Sequence, residues 1–98
     1  MIKIKGITDR QLLIIQQILS NYSEIEFYLY GSRVNGNFSH NSDLDILAKG
    51  KSKLSFDLLE ELKYKFDISD LPFIVHVSDF YRLDKNFVNL IKNSLRKL

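Results

Sequence analysis

Apolar residues recur at helical spacing in three segments of the chain. Residues 9–21 carry apolar side chains every three or four positions, and Thr8 with Gln11 has the form of a capping box at the start of this helix. Residues 55–66 place leucines and a phenylalanine on one helical face. A closing helix is predicted after Asp84, which is a suitable N-cap residue. Its apolar positions are Phe87, Leu90, Ile91, Leu95 and Leu98.

Three shorter segments have the pattern of strands. Residues 24–30, EIEFYLY, alternate apolar and polar side chains, and Tyr28 and Tyr30 on the polar side are expected to pack rather than to stack on a base. Residues 43–48, DLDILA, and 72–77, PFIVHV, predict a second and a third strand, the latter with its proline at the first position.

The order of these elements predicts the architecture. A helix lies between the second and third strands, as in a parallel crossover, whereas the short link between the first and second strands leaves their relative direction open. The expected fold class is α/β (α+β): a small mixed sheet of three or so strands flanked by helices, in one domain over residues 1–98.

Composition removes several classes of function. The chain has 98 residues and a net charge of +2, with 14 basic and 12 acidic side chains, and this balance argues against binding to nucleic acid. It contains no cysteine, so disulfides and thiolate metal sites are excluded. No apolar run has the length of a signal peptide core or of a membrane span, so we expect a cytoplasmic protein without membrane contact.

The candidate chemistry lies in residues 30–47, YGSRVNGNFSHNSDLDIL. Asp43 and Asp45 are two positions apart on a strand, so both carboxylates point to one face. Such neighbours repel each other unless a cation lies between them, and Mg²⁺ prefers one or two carboxylates together with phosphate oxygens and water. An isolated Asp-x-Asp pair, however, is more often a solvated strand face.

A Gly-Ser turn directly follows the first strand. Gly31 allows the backbone to approach a phosphate closely, and the hydroxyl and free N–H groups near Ser32 are suited to phosphate oxygens. By itself the dipeptide is more simply read as a turn and a helix cap.

The combination of Gly31-Ser32, ten intervening residues and Asp43-x-Asp45 resembles the signature of the DNA polymerase β-like nucleotidyltransferase superfamily. In length and element order the chain resembles the minimal nucleotidyltransferases (MNT proteins), the antitoxins of HEPN/MNT toxin–antitoxin systems. The resemblance implies a polymerase β-like fold. It also implies that Gly31 and Ser32 hold a nucleoside triphosphate, that Arg33 contacts phosphate or the partner, and that Asp43 and Asp45 bind Mg²⁺.

The resemblance further implies an activity and a partner. Family members transfer a nucleoside monophosphate, here AMP from ATP, to a hydroxyl, and many act as antitoxin on a helical HEPN-type toxin, some by adenylylating a tyrosine. An alternative is a weak or inactive nucleotide-binding antitoxin that neutralises its partner by binding alone. A homo-oligomer formed through the apolar stripe of the last helix also stays open.

The chain departs from the family pattern at His76. The pattern has a third aspartate there, which helps to bind the metal and activates the attacking hydroxyl, whereas histidine is a poor ligand for Mg²⁺. His76 is either a general base, a mark of a weakened site, or a residue without a role in the reaction. It alternates with apolar residues expected in the core, which suits a position in a cleft. Asp79 is expected past the strand or on its other face.

Overall fold

The computed structural model describes residues 6–31 and 43–98. Within these ranges three α-helices and four strands follow one another with a single 3-10 turn. Their bounds are α1 Asp9–Leu19, β1 Glu26–Tyr30, β2 Leu44–Lys49, α2 Phe56–Asp67, β3 Val75–Asp79, the 3-10 turn Phe80–Arg82, α3 Lys85–Ile91 and β4 Arg96–Lys97. The predicted mixed α+β class is confirmed, with a fourth strand in addition to the three expected.

The first two helices begin where the sequence predicts them. The Thr8 hydroxyl accepts a hydrogen bond from the Gln11 N–H at 3.1 Å, and the Gln11 side chain accepts one from the Thr8 N–H at 3.0 Å. These two bonds satisfy backbone donors that a helix start leaves unpaired. The Ser55 hydroxyl caps α2 in the same way by accepting from the Leu58 N–H. The far end of α1 lies at Leu19, two residues before the predicted end.

The sheet has the strand order β3-β2-β1-β4. Strands β2 and β3 run parallel, as the intervening helix predicted, and β1 runs antiparallel to β2, which settles the direction that sequence left open. The register pairs Tyr30 of β1 with Asp45 of β2, and Asp45 with His76 of β3. These three residues therefore form one row across the sheet, called here the Tyr30–Asp45–His76 row.

The hydrophobic core lies on one face of the sheet, beneath α1 and α2. Leu29, Ile46 and Val75 are among the strand residues on this face, and the fully buried Ile15 of α1 belongs to the same core. Because side chains alternate along each strand, the Tyr30–Asp45–His76 row lies on the opposite face. The core thus fixes the positions of the three backbones without enclosing the polar side chains.

The predicted closing helix is wrong beyond Ile91. Helix α3 ends there, and Arg96 and Lys97 form β4, which pairs antiparallel with β1. The Leu98 N–H donates to the Phe27 carbonyl at 2.9 Å, so the chain end pairs backbone groups of β1. This pairing satisfies backbone donors and acceptors on the edge of β1 that a continued helix would leave without partners. Asp84 occupies the predicted N-cap position but makes no side-chain cap bond.

The two tyrosines of β1 differ in their surroundings. Tyr30 is buried although it alternates with the core residues, because its ring packs edge-on against Phe87 of α3 with centroids 5.9 Å apart. Its hydroxyl lies 3.3 Å from the Ser78 hydroxyl. Tyr28 instead donates a hydrogen bond to Glu26 at 2.6 Å. Packing is therefore what the structure shows for Tyr30, as expected.

No helix within residues 6–31 and 43–98 combines the length and the apolar character that crossing a membrane would require.

Candidate functional site

His76 and Asp43 are in direct contact at the end of the sheet where β2 and β3 begin. His76 Nε2 lies 2.7 Å from Asp43 Oδ2, although the two residues are 33 positions apart in the chain. The parallel pairing of β2 with β3 produces this contact, because the Leu44 N–H donates to the Ile74 carbonyl at 2.8 Å and so fixes the start of both strands. The two side chains are about half exposed, at 54% and 45%. They therefore lie at an open end of the sheet.

The bond to Asp43 determines which imidazole nitrogen is available. An ionised carboxylate accepts hydrogen bonds and cannot donate one, so Nε2 must carry the proton in this contact. In the neutral imidazole the lone pair then belongs to Nδ1. With Asp43 ionised and the imidazole neutral, this contact selects the tautomer whose Nδ1 accepts a proton.

Asp45 is partly buried beside Asp43 and His76. Burial raises the pKa of Asp45 above the ordinary range, His76 acts to lower it, and the neighbouring Asp43 carboxylate raises it further. A cation beside both carboxylates would relieve the cost of burial and the mutual repulsion. The electrostatics thus favour occupation of the space between Asp43 and Asp45 by positive charge.

Gly31 contacts Asp45 at the end of β1. Its φ is +89°, which other residues rarely adopt, and a Cβ added to it would lie 2.5 Å from Asp45 Oδ2. Glycine is therefore required here for two reasons: the turn needs its positive φ, and the Asp45 carboxylate occupies the space that a Cβ would fill. The sequence predicted the glycine for a close approach to phosphate, and the structure shows a close approach to Asp45.

Gly31→Ala is expected to lower the free energy of unfolding by about 2 kcal/mol, because a left-handed alanine alone costs about 1–2 kcal/mol and the Cβ must also displace the carboxylate. Chemical denaturation measures this value. In an Asp45→Ala background the same substitution should cost only the backbone part, so equal costs in both backgrounds would contradict a clash with Asp45.

Asp79 is not part of this site. It is the last residue of β3 and its parity places it on the core face, opposite His76, as expected from sequence. Its buried carboxylate accepts from the Leu54 N–H at 2.8 Å and the Tyr81 N–H at 3.1 Å, and lies 3.2 Å from Arg82 Nε. Asp79 therefore fastens the loop before α2 to the end of β3.

Ser32 and Arg33, the other two residues predicted to bind nucleotide, lie outside the described residues. In the described parts of the chain, no three histidine, cysteine or acidic side chains are grouped so as to hold a metal ion. Sequence reasoning assigned no role to Ser78, whose hydroxyl lies 3.3 Å from the Tyr30 hydroxyl beside the site. Alternation along β3 was the available signal, since it puts Ser78 on the same face as His76.

Comparison with known proteins identifies similar chains. Residues 14–97 match the family model described as "Polymerase beta, Nucleotidyltransferase". The chain is 33% identical over 79 residues to a "Probable protein adenylyltransferase MntA" of Haemophilus influenzae, an alignment that covers 81% of this chain and 67% of that protein.

The fold is similar to one in a crystal structure described as a toxin-antitoxin with AMP-PNP. The superposition has a TM-score of 0.71 at 24% identity, and covers 87% of this chain and 69% of that one. At this identity the match shows the shared fold.

Proposed function

The chain belongs to the polymerase beta nucleotidyltransferase family, and we propose that it transfers AMP from ATP to a hydroxyl group with Mg²⁺ as its cofactor. Membership confirms the resemblance and the enzyme class inferred from sequence. The observation that carries the proposed reaction is the meeting of Asp43, Asp45 and His76 at one open end of the sheet, beside Gly31.

The donor set at this end of the sheet fits Mg²⁺. Asp43 and Asp45 offer carboxylate oxygens, which Mg²⁺ prefers, and it completes its shell with phosphate oxygens and water. Asp43 uses Oδ2 for the contact with His76, which leaves Oδ1 for the metal. When bound, Mg²⁺ would neutralise charge on the triphosphate. Gly31, Ser32 and Arg33 are proposed to hold the phosphates.

His76 is proposed to act as the general base in place of the family's third carboxylate. The attacking hydroxyl gives its proton to Nδ1, its oxygen bonds to the α-phosphorus of ATP, and pyrophosphate leaves with the electrons of the broken P–O bond. Asp43 holds the imidazole orientation through Nε2 and stabilises the imidazolium that forms.

The proposed acceptor is a hydroxyl on a partner protein, a helical toxin of the HEPN type, for which this chain is the antitoxin. Two similarities support this. The Haemophilus influenzae relative is described as a probable protein adenylyltransferase, and the structurally similar chain comes from a toxin-antitoxin. The half-exposed site supports it as well, because His76 and Asp43 are accessible to a second protein.

Incubation with α-labelled ATP, Mg²⁺ and the protein encoded by the adjacent gene tests the transfer. Label on the partner is the expected result, and it should disappear when EDTA is added. An absence of label under conditions in which this chain binds ATP would rule out the proposed reaction.

A second candidate function is neutralisation of the partner by binding alone. This function is favoured by His76, which stands where the family pattern has its third aspartate, because Mg²⁺ selects oxygen ligands over imidazole nitrogen. The variant with Asp43→Asn and Asp45→Asn distinguishes the two functions. If binding alone suffices, this variant still neutralises the toxin; if it binds the partner and no longer neutralises it, transfer is required.

Substitution of His76 tests its role as base. His76→Ala is expected to lower kcat about a hundredfold, near the lower end for loss of a general base, with ATP affinity unchanged. Single-turnover transfer and equilibrium ATP binding measure the two quantities. An alanine variant as fast as the wild type would exclude the base role. His76→Asp is the matched variant: a gain in rate would show that the native site is a weakened form of a three-carboxylate site.

A further inference from the structure

Strand β3 lies at the edge of the sheet as far as the described residues show, because its one partner in the strand order is β2. The Leu44 N–H donates to the Ile74 carbonyl, so the backbone groups of Ile74, His76 and Ser78 face β2. Backbone groups alternate in direction along a strand, so the N–H and C=O of Val75 and Val77 point away from the sheet. Val75 and Val77 therefore present two outward donors and two outward acceptors.

A groove runs along this edge. It has a volume of about 400 Å³ and is lined by all five residues 74–78 together with one side of α2. Neighbouring residues of a strand face opposite sides of the sheet, so a groove that touches five consecutive residues must follow the edge of the strand. We call this surface the β3 groove.

The β3 groove is suited to an extended peptide. Phe56 of α2 is 69% exposed beside it, with the Arg82 guanidinium 4.1 Å from its ring centroid, and Ile74 is 59% exposed at its other end. An exposed apolar side chain therefore lies at each end of the groove. The strand sequence VHVSD contains neither lysine nor proline, the residues that usually protect a free edge from pairing. The unpaired edge of β3 in the described residues, the groove beside it and the apolar side chains at its ends together fit a segment of about five residues that is added as a strand.

The β3 groove is also continuous with the candidate site, since His76 lines it. A strand added beside β3 would place a residue next to His76 and so extend the Tyr30–Asp45–His76 row by one position. Directly opposed residues of neighbouring strands have Cβ atoms about 5 Å apart, which brings a hydroxyl-bearing side chain within reach of the imidazole.

We propose that the free edge of β3 binds an extended segment of the partner protein as an added strand, and that this segment carries the acceptor hydroxyl. The proposal rests on the transfer function argued above and adds how the substrate is recognised. Backbone pairing supplies the alignment, the apolar ends supply affinity, and the residue opposite His76 receives AMP.

Amide hydrogen exchange of the complex with the protein encoded by the adjacent gene tests the pairing directly. The amides of Val75 and Val77 point outward and are expected to exchange rapidly in the free protein and at least about tenfold more slowly in the complex. The amides of His76 and Ser78 face β2, so they should be protected in both states and act as internal controls. A complex that transfers AMP without protection at Val75 and Val77 would overturn the proposal.

A pair of variants tests the groove by kinetics. Phe56→Ser removes an exposed aromatic side chain that lines the groove, and Tyr64→Ser removes one of similar exposure, 62%, that lies on the same helix outside it. The first variant should raise KM for the partner about tenfold, and the second should not change it. ATP affinity should stay the same in both. Equal KM values for the two variants would contradict the proposal.

Val77→Pro removes one outward donor while leaving the bonds to β2 in place, since proline is tolerated at an edge position whose N–H faces outward. It should lower kcat/KM for the partner at least about tenfold, and an unchanged value in a folded variant would count against strand addition. If this variant does not fold, the KM values of Phe56→Ser and Tyr64→Ser and the amide exchange of the complex test the proposal without it.

Protection of the Val75 and Val77 amides in the free protein that rises with protein concentration would show that a second copy of this chain binds the edge. That result would overturn the proposal.

If the wild type transfers no AMP although it binds ATP, the proposed function fails and the acceptor role of the edge fails with it. Transfer that is insensitive to both Phe56→Ser and Val77→Pro overturns the edge proposal alone.

Discussion

Asp45→Asn is expected to reduce AMP transfer at least about a thousandfold. The substitution removes a proposed Mg²⁺ ligand that lies between His76 and Gly31, and a catalytic metal contributes several kcal/mol to the transition state, which corresponds to at least about a thousandfold in rate. Single-turnover transfer at saturating ATP and Mg²⁺ measures the loss. Asp57→Asn, an exposed acid in the first turn of α2, is the matched control and should transfer at the wild-type rate.

The same variant should be at least as stable as the wild type when no metal is present. Burial raises the pKa of Asp45 in the folded protein, so its ionised form is disfavoured by folding and costs stability at neutral pH. That cost disappears as the pH falls below the ordinary carboxyl range, near about 4, where the group is protonated in both states. Asp45→Asn should therefore raise Tm at about pH 7 in EDTA and lose this advantage in acid.

Added Mg²⁺ should reverse the order of stability, so that the wild type has a higher Tm than Asp45→Asn. The metal binds the folded wild type and stabilises it, whereas the variant lacks a ligand and gains less. A variant that transfers AMP normally would exclude Asp45 from the metal site, and a variant less stable than the wild type in EDTA would show that its carboxylate has a structural role instead.

Asp79→Ala is expected to lower the free energy of unfolding by about 3 kcal/mol, because it removes the fully buried partner of Arg82 and leaves the buried Leu54 N–H without its acceptor. The same substitution releases Arg82, whose guanidinium also donates to the Leu54 carbonyl. Urea denaturation followed by circular dichroism measures the change.

Asp70→Ala is the matched control for this prediction. Asp70 also pairs with an arginine, Arg10, at 3.2 Å, but the two side chains are about four-fifths exposed. Exposed pairs contribute about 0–1 kcal/mol, so this variant should be nearly as stable as the wild type. Similar losses for both variants would show that burial of Asp79 does not determine its contribution.

The contrast between His76 and Asp79 shows how much of the candidate site could be predicted from the sequence. The sequence put His76 at the third position of the site, and alternation was enough to expect Asp79 past the strand or on its other face. Alternation could not reveal that His76 touches Asp43, since that contact depends on the pairing of β2 with β3. Nor could it reveal the backbone donors that surround Asp79, because they come from the loop before α2 and from the 3-10 turn.

The predicted closing helix failed for a related reason. Leu95 and Leu98 continue the spacing of Phe87 and Ile91, so local periodicity favoured one long helix. The edge of β1 competes for the same residues, and pairing with it needs only a short extended segment. A local pattern carries no information about an unpaired edge formed by a strand much earlier in the chain.

The sequence by itself determined the elements with strong local signals. Capping residues and apolar periods located α1 and α2, and local residue patterns located β1, β2 and β3. The Gly31-Ser32 and Asp43-x-Asp45 spacing identified the family. Each of these signals lies within a few turns or one loop of chain. Tertiary structure alone decided that Asp43 contacts His76 and that the Asp45 carboxylate occupies the space beside Gly31. It also decided that β3 is an edge strand next to the site within residues 6–31 and 43–98. Those features arise where distant strands are brought into register by a shared core, and the energy that fixes them comes from burial on the other face of the sheet.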